Sequence, residues 1–369
     1  MAFDFVFRTG MLFWNDAGDQ KIYKSPIDEG NDKSIVIDED LTICDGLAID
    51  WIYNHVYWSD VGKKTISLTD FDGNMKKTLV TEYIEEPRAL ALNPLDGWMF
   101  WSDWGETARI ERSGMDGSHR SVIIEKDIKW PNGLALDLIA RRIFWVDAKL
   151  HIITSSDYDG MHRRTILFST EFLRHPFSIT VFEDFIYWSD WTKQSIFRAN
   201  KFTGKEVQLI VSNQSIQHPM VLHIYHPYKQ PDGINQCEAV NGRCSHLCLP
   251  SPKINSESPL ISCACPDNLI LTSDGLLCSK PVQYTLYDPD DLKLGVHEVR
   301  LTTGTILSIF LFSIILFMTI LATCYKYSLR NKLKSISFYN PVYKKKSVDL
   351  FKLDKRQYLF ITSIQEEIK

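Results

Sequence analysis

Residues 187–190 read YWSD, and near-copies stand at 56–60 (VYWSD), 99–103 (MFWSD) and 143–147 (IFWVD). Their tryptophans, Trp58, Trp101, Trp145 and Trp188, are 43, 44 and 43 residues apart, and a step of 44 back from Trp58 lands on Trp14 in LFWND. A fixed period of this size marks a repeat architecture. Before each phrase stands another: DGLAID at 45–50, PRALALN at 87–93, PNGLALD at 131–137 and HPFSITV at 175–181. After each comes a turn phrase, DFDGNMKKTL, GMDGSHRSVI, DYDGMHRRTI or KFTGKEVQLI, whose Asp-Gly or Thr-Gly pair signals a hairpin between short β-branched runs. One period therefore holds about four short strands and no convincing helix, which describes a β-propeller blade.

The repetition has a physical reason. Alternate side chains of a strand face opposite sides, and in a propeller both faces of an inner strand are covered by neighbouring blades. Tyr187 and Trp188 then both pack, each burying on the order of 150–250 Å². The aspartate ends the strand, where its carboxylate accepts backbone N–H bonds. A carboxylate present in every blade (Asp60, Asp103, Asp147, Asp190) reads as structural rather than catalytic.

These phrases resemble the YWTD propeller of the low-density lipoprotein receptor family, whose ring has six blades. Here five aromatic-Trp-x-Asp phrases are followed by a closing stretch, HPMVLHIYHPYKQP at 218–231. The expectation is an all-β, six-bladed YWTD β-propeller over 1–232 whose first blade is incomplete, in an N-terminally truncated chain. MAFDFVFRTG has no charged n-region, apolar h-region or cleavage site, so no signal peptide is visible.

Six of the eight cysteines cluster as C-x6-C-x3-C-x14-C-x-C-x12-C between Cys237 and Cys278. The spacing is that of an EGF-like module, placed at 233–280, and offers neither the paired CxxC nor the histidines of a zinc site. Such a small module depends on disulfides formed in an oxidising compartment. The family resemblance implies the pairing Cys237–Cys248, Cys244–Cys263 and Cys265–Cys278. No acidic run precedes Cys237, so no calcium is expected there, and no metal or other cofactor is implied elsewhere. Cys44 is left without a partner and reads as a buried small hydrophobe.

Residues 281–300 form a charged juxtamembrane linker, and 301–325 are twenty-five residues without a charge. About twenty suffice to cross a bilayer as a helix. Lys326, Arg330, Lys332 and Lys334 follow, so the positive-inside rule puts the C-terminus in the cytoplasm. From 326 to 369 there are eleven Lys/Arg against four Asp/Glu, a net of +7, which leaves −12 for 1–325. The expected protein is a single-pass type I plasma-membrane receptor with a largely disordered cytoplasmic tail at 326–369. Nothing points to nucleic acid. Cys324, at the inner end of the span, reads equally as a palmitoylation site or an apolar residue, and Asn213 heads the one N-glycosylation sequon.

In the tail, FYNPVY at 338–343 fits the FxNPxY internalisation motif. Asn340 and Pro341 favour a tight turn that displays Phe338 and Tyr343 on either side. An adaptor of the phosphotyrosine-binding (PTB) type takes the preceding strand by β-augmentation. YLFI at 358–361 is a weaker candidate sorting signal. In the propeller, the resemblance implies that His151 and His175 act in acid-triggered ligand release, and that Trp104, Trp130 and Lys149 dock ligand-binding modules. Glu171 departs from the family pattern, which has a lysine near there.

Two functions compete. One is an endocytic receptor for lipoprotein or yolk-protein cargo, bound through modules this chain lacks, which visits clathrin-coated pits and endosomes. The other is a signalling or adhesion receptor that uses the propeller as a protein-binding platform. An enzyme is disfavoured, because no blade breaks the repeat with a polar ligand cluster.

Overall fold

The computed structural model describes residues 2–28, 32–212, 216, 218–281, 345–354 and 357–365, with side chains between 345 and 365 described only for Leu359, Phe360 and Ile361. Five four-stranded antiparallel sheets follow one another along the chain, each in simple up-and-down order. The first holds β1 (Phe3–Val6), β2 (Met11–Asp16), β3 (Lys21–Pro26) and β4 (Ser34–Ile37). The second holds β5 (Cys44–Asp50), β6 (His55–Asp60), β7 (Thr65–Asp70) and β8 (Lys77–Val80). The third is β9 (Pro87–Asn93), β10 (Trp98–Asp103), β11 (Arg109–Gly114) and β12 (Ser121–Ile124). The fourth is β13 (Pro131–Asp137), β14 (Arg142–Asp147), β15 (Ile152–Asp157) and β16 (Arg164–Phe168). The fifth is β17 (Pro176–Phe182), β18 (Phe185–Asp190), β19 (Ser195–Asn200) and β20 (Gln208–Val211).

The recurring phrase is the second strand of each sheet. Trp58, Trp101, Trp145 and Trp188 are fully buried between blades, as are Tyr57, Tyr187 and Phe100. The strand-ending carboxylates accept backbone N–H groups. Asp147 takes those of Lys129 (2.7 Å), Trp130 (3.2 Å), Lys149 and Leu150 (3.0 Å each), and Asp190 takes those of His175 (2.8 Å) and Lys193 (2.9 Å). The turn glycines are fixed by the preceding blade: Gly73 (φ +81°) and Gly160 (φ +78°) would each drive a Cβ to about 2 Å from the carbonyl oxygens of Val36 and Ile123.

Two expectations need correction. The first blade is complete. LFWND supplies β2, and the preceding FDFV pairs with it as an inner strand, Phe3 opposite Trp14. The shortfall lies at the other end, where the closing stretch contributes only β21 (Pro219–Tyr225), without a phrase after it. Nor are the described residues of the tail disordered. After β22 (Leu247–Pro250), β23 (Ile261–Ala264), β24 (Ile270–Leu271) and β25 (Cys278–Ser279) come β26 (Lys345–Asp354) and β27 (Gln357–Gln365), which form a hairpin paired on β21 in the order β21-β27-β26. The physical reason is a free sheet edge on β21 and an apolar strand able to fill it. Leu359, Phe360 and Ile361 are buried there.

A strap at 226–235 runs from this sixth sheet back across the first two. Gln230 accepts the Phe7 N–H (2.7 Å) and donates to the Phe5 carbonyl, Trp51 Nε1 donates to the Pro231 carbonyl (3.0 Å), and Asn235 donates to the Ile52 carbonyl (3.1 Å). It leads into a small disulfide-rich module with bridges Cys237–Cys248, Cys244–Cys263 and Cys265–Cys278. Leu247 and Leu249 extend the apolar cluster of the second and third blades, and Asp267 accepts the Thr78 N–H (2.8 Å) and hydroxyl (2.7 Å). Cys44 is free and buried.

Asn213, the apolar segment 301–325, Cys324 and Phe338, Asn340, Pro341 and Tyr343 lie outside the described residues. No described helix is long and apolar enough to cross a membrane.

Candidate ligand-docking face

The loops that carry the strand-ending aspartates also carry the candidate docking residues. Asp147 holds the backbone of Lys129 and Trp130 on one side and of Lys149 and Leu150 on the other, so Trp130 and Lys149 are brought together by one carboxylate. The Lys149 ammonium lies 5.0 Å from the Trp130 ring centre, a cation–π distance. His175 enters from the next blade, its ring 6.4 Å from that of Trp130 and its N–H bound to Asp190.

His151 ends the same turn with φ 56°, and its Nδ1 lies 2.7 Å from the Leu173 carbonyl oxygen. A carbonyl only accepts, so Nδ1 carries the proton and Nε2 is the nitrogen left to gain one. Burial lowers the pKa of His175 below the ordinary histidine value; Asp190 opposes this, while Arg88 and His151 add to it. At neutral pH His175 is therefore uncharged, and it protonates at a more acid pH than a free histidine.

Trp104 sits apart from this group. Its partner is Arg88, whose guanidinium lies 4.6 Å from the Trp104 ring and 5.3 Å from that of Phe177. Arg88 also binds Asp45 (3.2 Å) and Asn132 (2.7 Å), and Asn132 donates to the Pro176 carbonyl (3.0 Å). Arg88, Trp191 and His218, the last two with rings 4.9 Å apart, escaped the sequence reading. The signal for Arg88 was present. The second position of the inner-strand phrase varies as Arg88, Asn132 and Phe177 among otherwise similar residues. Among the described residues no three His, Cys, Asp or Glu side chains converge to hold a metal ion.

The family model "Low-density lipoprotein receptor repeat class B" matches residues 54–94, 97–138, 141–183 and 184–226. Human low-density lipoprotein receptor-related protein 8 is 43% identical over 291 residues, which cover 77% of this chain and 30% of that relative. Among solved structures, the nidogen/laminin complex matches with a TM-score of 0.56 at 23% identity, over 60% of this chain and 82% of that one. The calcium-binding protein regucalcin from Agrobacterium tumefaciens matches with a TM-score of 0.50 at 13% identity, over 60% and 76%. At these identities the two structures speak only for the propeller fold. The repeat phrases, the model that matches four of them and the identity across three quarters of the chain agree: the chain belongs to the low-density lipoprotein receptor family.

Proposed function

We propose that the chain works as a single-pass endocytic receptor with a six-bladed propeller and an EGF-like module outside the plasma membrane. Residues 301–325 cross the bilayer, with Cys324 at the inner end as a candidate palmitoylation site and Asn213 as a candidate glycosylation site outside. FYNPVY at 338–343 recruits PTB-type and clathrin adaptors, and the cargo is lipoprotein or yolk protein.

The observation that carries this reading is the cluster of Trp130, Lys149 and His175, with His151 beside it. An acidic, cysteine-rich module that docks there meets an aromatic platform and one fixed cation. It also meets an imidazole that burial keeps neutral at the cell surface. Docked carboxylates raise the histidine pKa, so docking takes up protons and tightens as pH falls into the endosomal range. Two histidines whose pKa differs by one unit between docked and free states shift the equilibrium about a hundred-fold. Modules held on the propeller are then lost to cargo.

In this topology the bilayer separates the 345–365 hairpin from β21. The hairpin pairing belongs to a chain whose tail is free to reach the propeller. Cargo release at pH 5.5 tests the face: His151→Ala/His175→Ala should release markedly less than wild type, and equal release refutes its role. Tyr343→Ala should slow uptake several-fold while Tyr358→Ala does little. Equal uptake of Tyr343→Ala and wild type refutes the tail reading.

A further inference from the structure

The inner strands line the axis of the ring, and at one level they place equivalent residues around it. Counting from the residue opposite each phrase tryptophan, that level holds Asp4, Ala48, Ala91, Ala135, Thr180 and, on β21, His223. Four consecutive blades present methyl groups or a small hydroxyl. The two that break the pattern are neighbours across the seam where the last inner strand meets the first. Their side chains face each other, His223 Nδ1 4.0 Å from Asp4 Oδ1. All six line a cavity of about 100 Å³, together with Lys229 and Gln230 of the strap.

The seam has little else that is polar. Phe3 and Phe5 hold the His223 ring edge-on at 5.1 and 6.2 Å, Phe5 and Phe7 pack on Tyr225 at 4.9 and 4.7 Å, and Phe360 of β27 covers Phe3 and Phe5. Asp4 is held by the N–H groups of Ile49 (2.8 Å) and Phe5 (2.9 Å). Lys229 donates to the Val181 carbonyl (3.0 Å). Lys201 and Asp137, paired at 2.7 Å, are the next charges out.

We propose that the Asp4–His223 pair is a proton-binding site built into the seam of the ring, and that loading it in acid loosens β1 from β21 before any other blade junction opens. An imidazolium there lies among aromatic rings, with the Lys229 ammonium as a like charge nearby and one carboxylate at a distance that needs a water to bridge it. The titration of His223 has the matching sign. Burial lowers its pKa, so just below the ordinary histidine value the folded chain resists a proton that the unfolded chain takes up, while the raised pKa of Asp4 acts in the opposite sense and limits the effect. The stabilisation is present above about pH 6.5 and is lost as pH falls below it. The site stands apart from His151 and His175, so its fate leaves the endocytic reading untouched.

The test is amide hydrogen exchange of the full chain in detergent, where the tail can reach β21, at pH 7.5, 6.5 and 5.5, corrected for intrinsic rates. In wild type, β1 and β21 peptides should lose protection by up to about tenfold between pH 6.5 and 5.5, the most one proton allows per unit. Peptides from β9 and β13 should change little. His223→Gln and, independently, His223→Phe should abolish the extra loss, while His175→Gln keeps it. Uniform acid loss across all inner strands in wild type overturns the proposal, and so does an extra loss that survives in both His223 variants.

Discussion

The fifth and sixth sheets make the same structure from differently arranged chain. In the fifth, β17 meets β18 after Glu183 and Asp184, pairing Ile179 with Trp188, Thr180 with Tyr187 and Val181 with Ile186. In the sixth, β21 meets a strand drawn from across 131 residues, yet the register is equivalent: Leu222 pairs with Ile361, His223 with Phe360 and Ile224 with Leu359. YLFITS at 358–363 thus stands on the positions of FIYWSD at 185–190. What a blade demands of its second strand is an alternation of aromatic and aliphatic side chains that fits between two sheets. Continuity of the chain is not part of the demand. The sixth sheet lacks the residues that lock the fifth: Trp188, whose Nε1 donates to the Phe172 carbonyl at 2.9 Å, is matched by Ile361, and Asp190 by Ser363.

Substitution at equivalent positions should break the two sheets differently. Ile186→Asp puts a carboxylate into the apolar contact of the fourth and fifth blades and should leave no secreted, folded propeller. Leu359→Asp, at the same register position, should only release the hairpin. In detergent, where the tail can reach β21, it should lower the melting temperature by several degrees and open 345–365 to protease. In a bilayer that separates tail from propeller it should change neither. A smaller loss is expected for Asp190→Ala, which orphans the N–H groups of His175 and Lys193 at about 1–3 kcal/mol each. Ser363→Ala should stay within about 0.5 kcal/mol, as measured by denaturant unfolding.

Next comes Gly133→Ala. Its Cβ would stand 2.7 Å from the Ser178 Cα of the adjoining strand, where only backbone movement gives room, at about 1–3 kcal/mol. The equivalent position on β21 already carries Val221, so the sixth sheet leaves space that the fourth does not. Another effect concerns the strap. Burial pushes the Lys229 pKa down to about 8. Between there and the ordinary lysine value the unfolded chain binds the extra proton, so wild type should gain stability as pH rises from 8 to 10, and Lys229→Met should flatten that rise. Thermal melts across this range decide it.

Much of the molecule was legible because its signals are local. The period of the tryptophans, the two-residue alternation of the strands, the turn pairs and the clustered cysteines each lie within about forty residues. The backbone-capping role of Asp147 and Asp190 followed from their place at a strand end. The docking face was legible only in part. Trp130, Lys149 and His175 converge, whereas Trp104 depends on Arg88, which the varying second position of the inner-strand phrase marks but whose partners Asp45, Asn132 and Phe177 only the closed ring brings to it.

The sequence by itself determined that this chain builds repeated four-stranded blades and one cysteine-bridged module, because strand alternation, turn chemistry and spacing act over short distances. Tertiary structure alone decided which end of the ring is short of strands and what fills it. It also showed that the axial repeat is broken at one level, by Asp4 and His223. These are consequences of closing a circle. Closure puts β1 beside β21, more than two hundred residues later, and no local pattern records which side chains meet when the two ends of a repeat become neighbours.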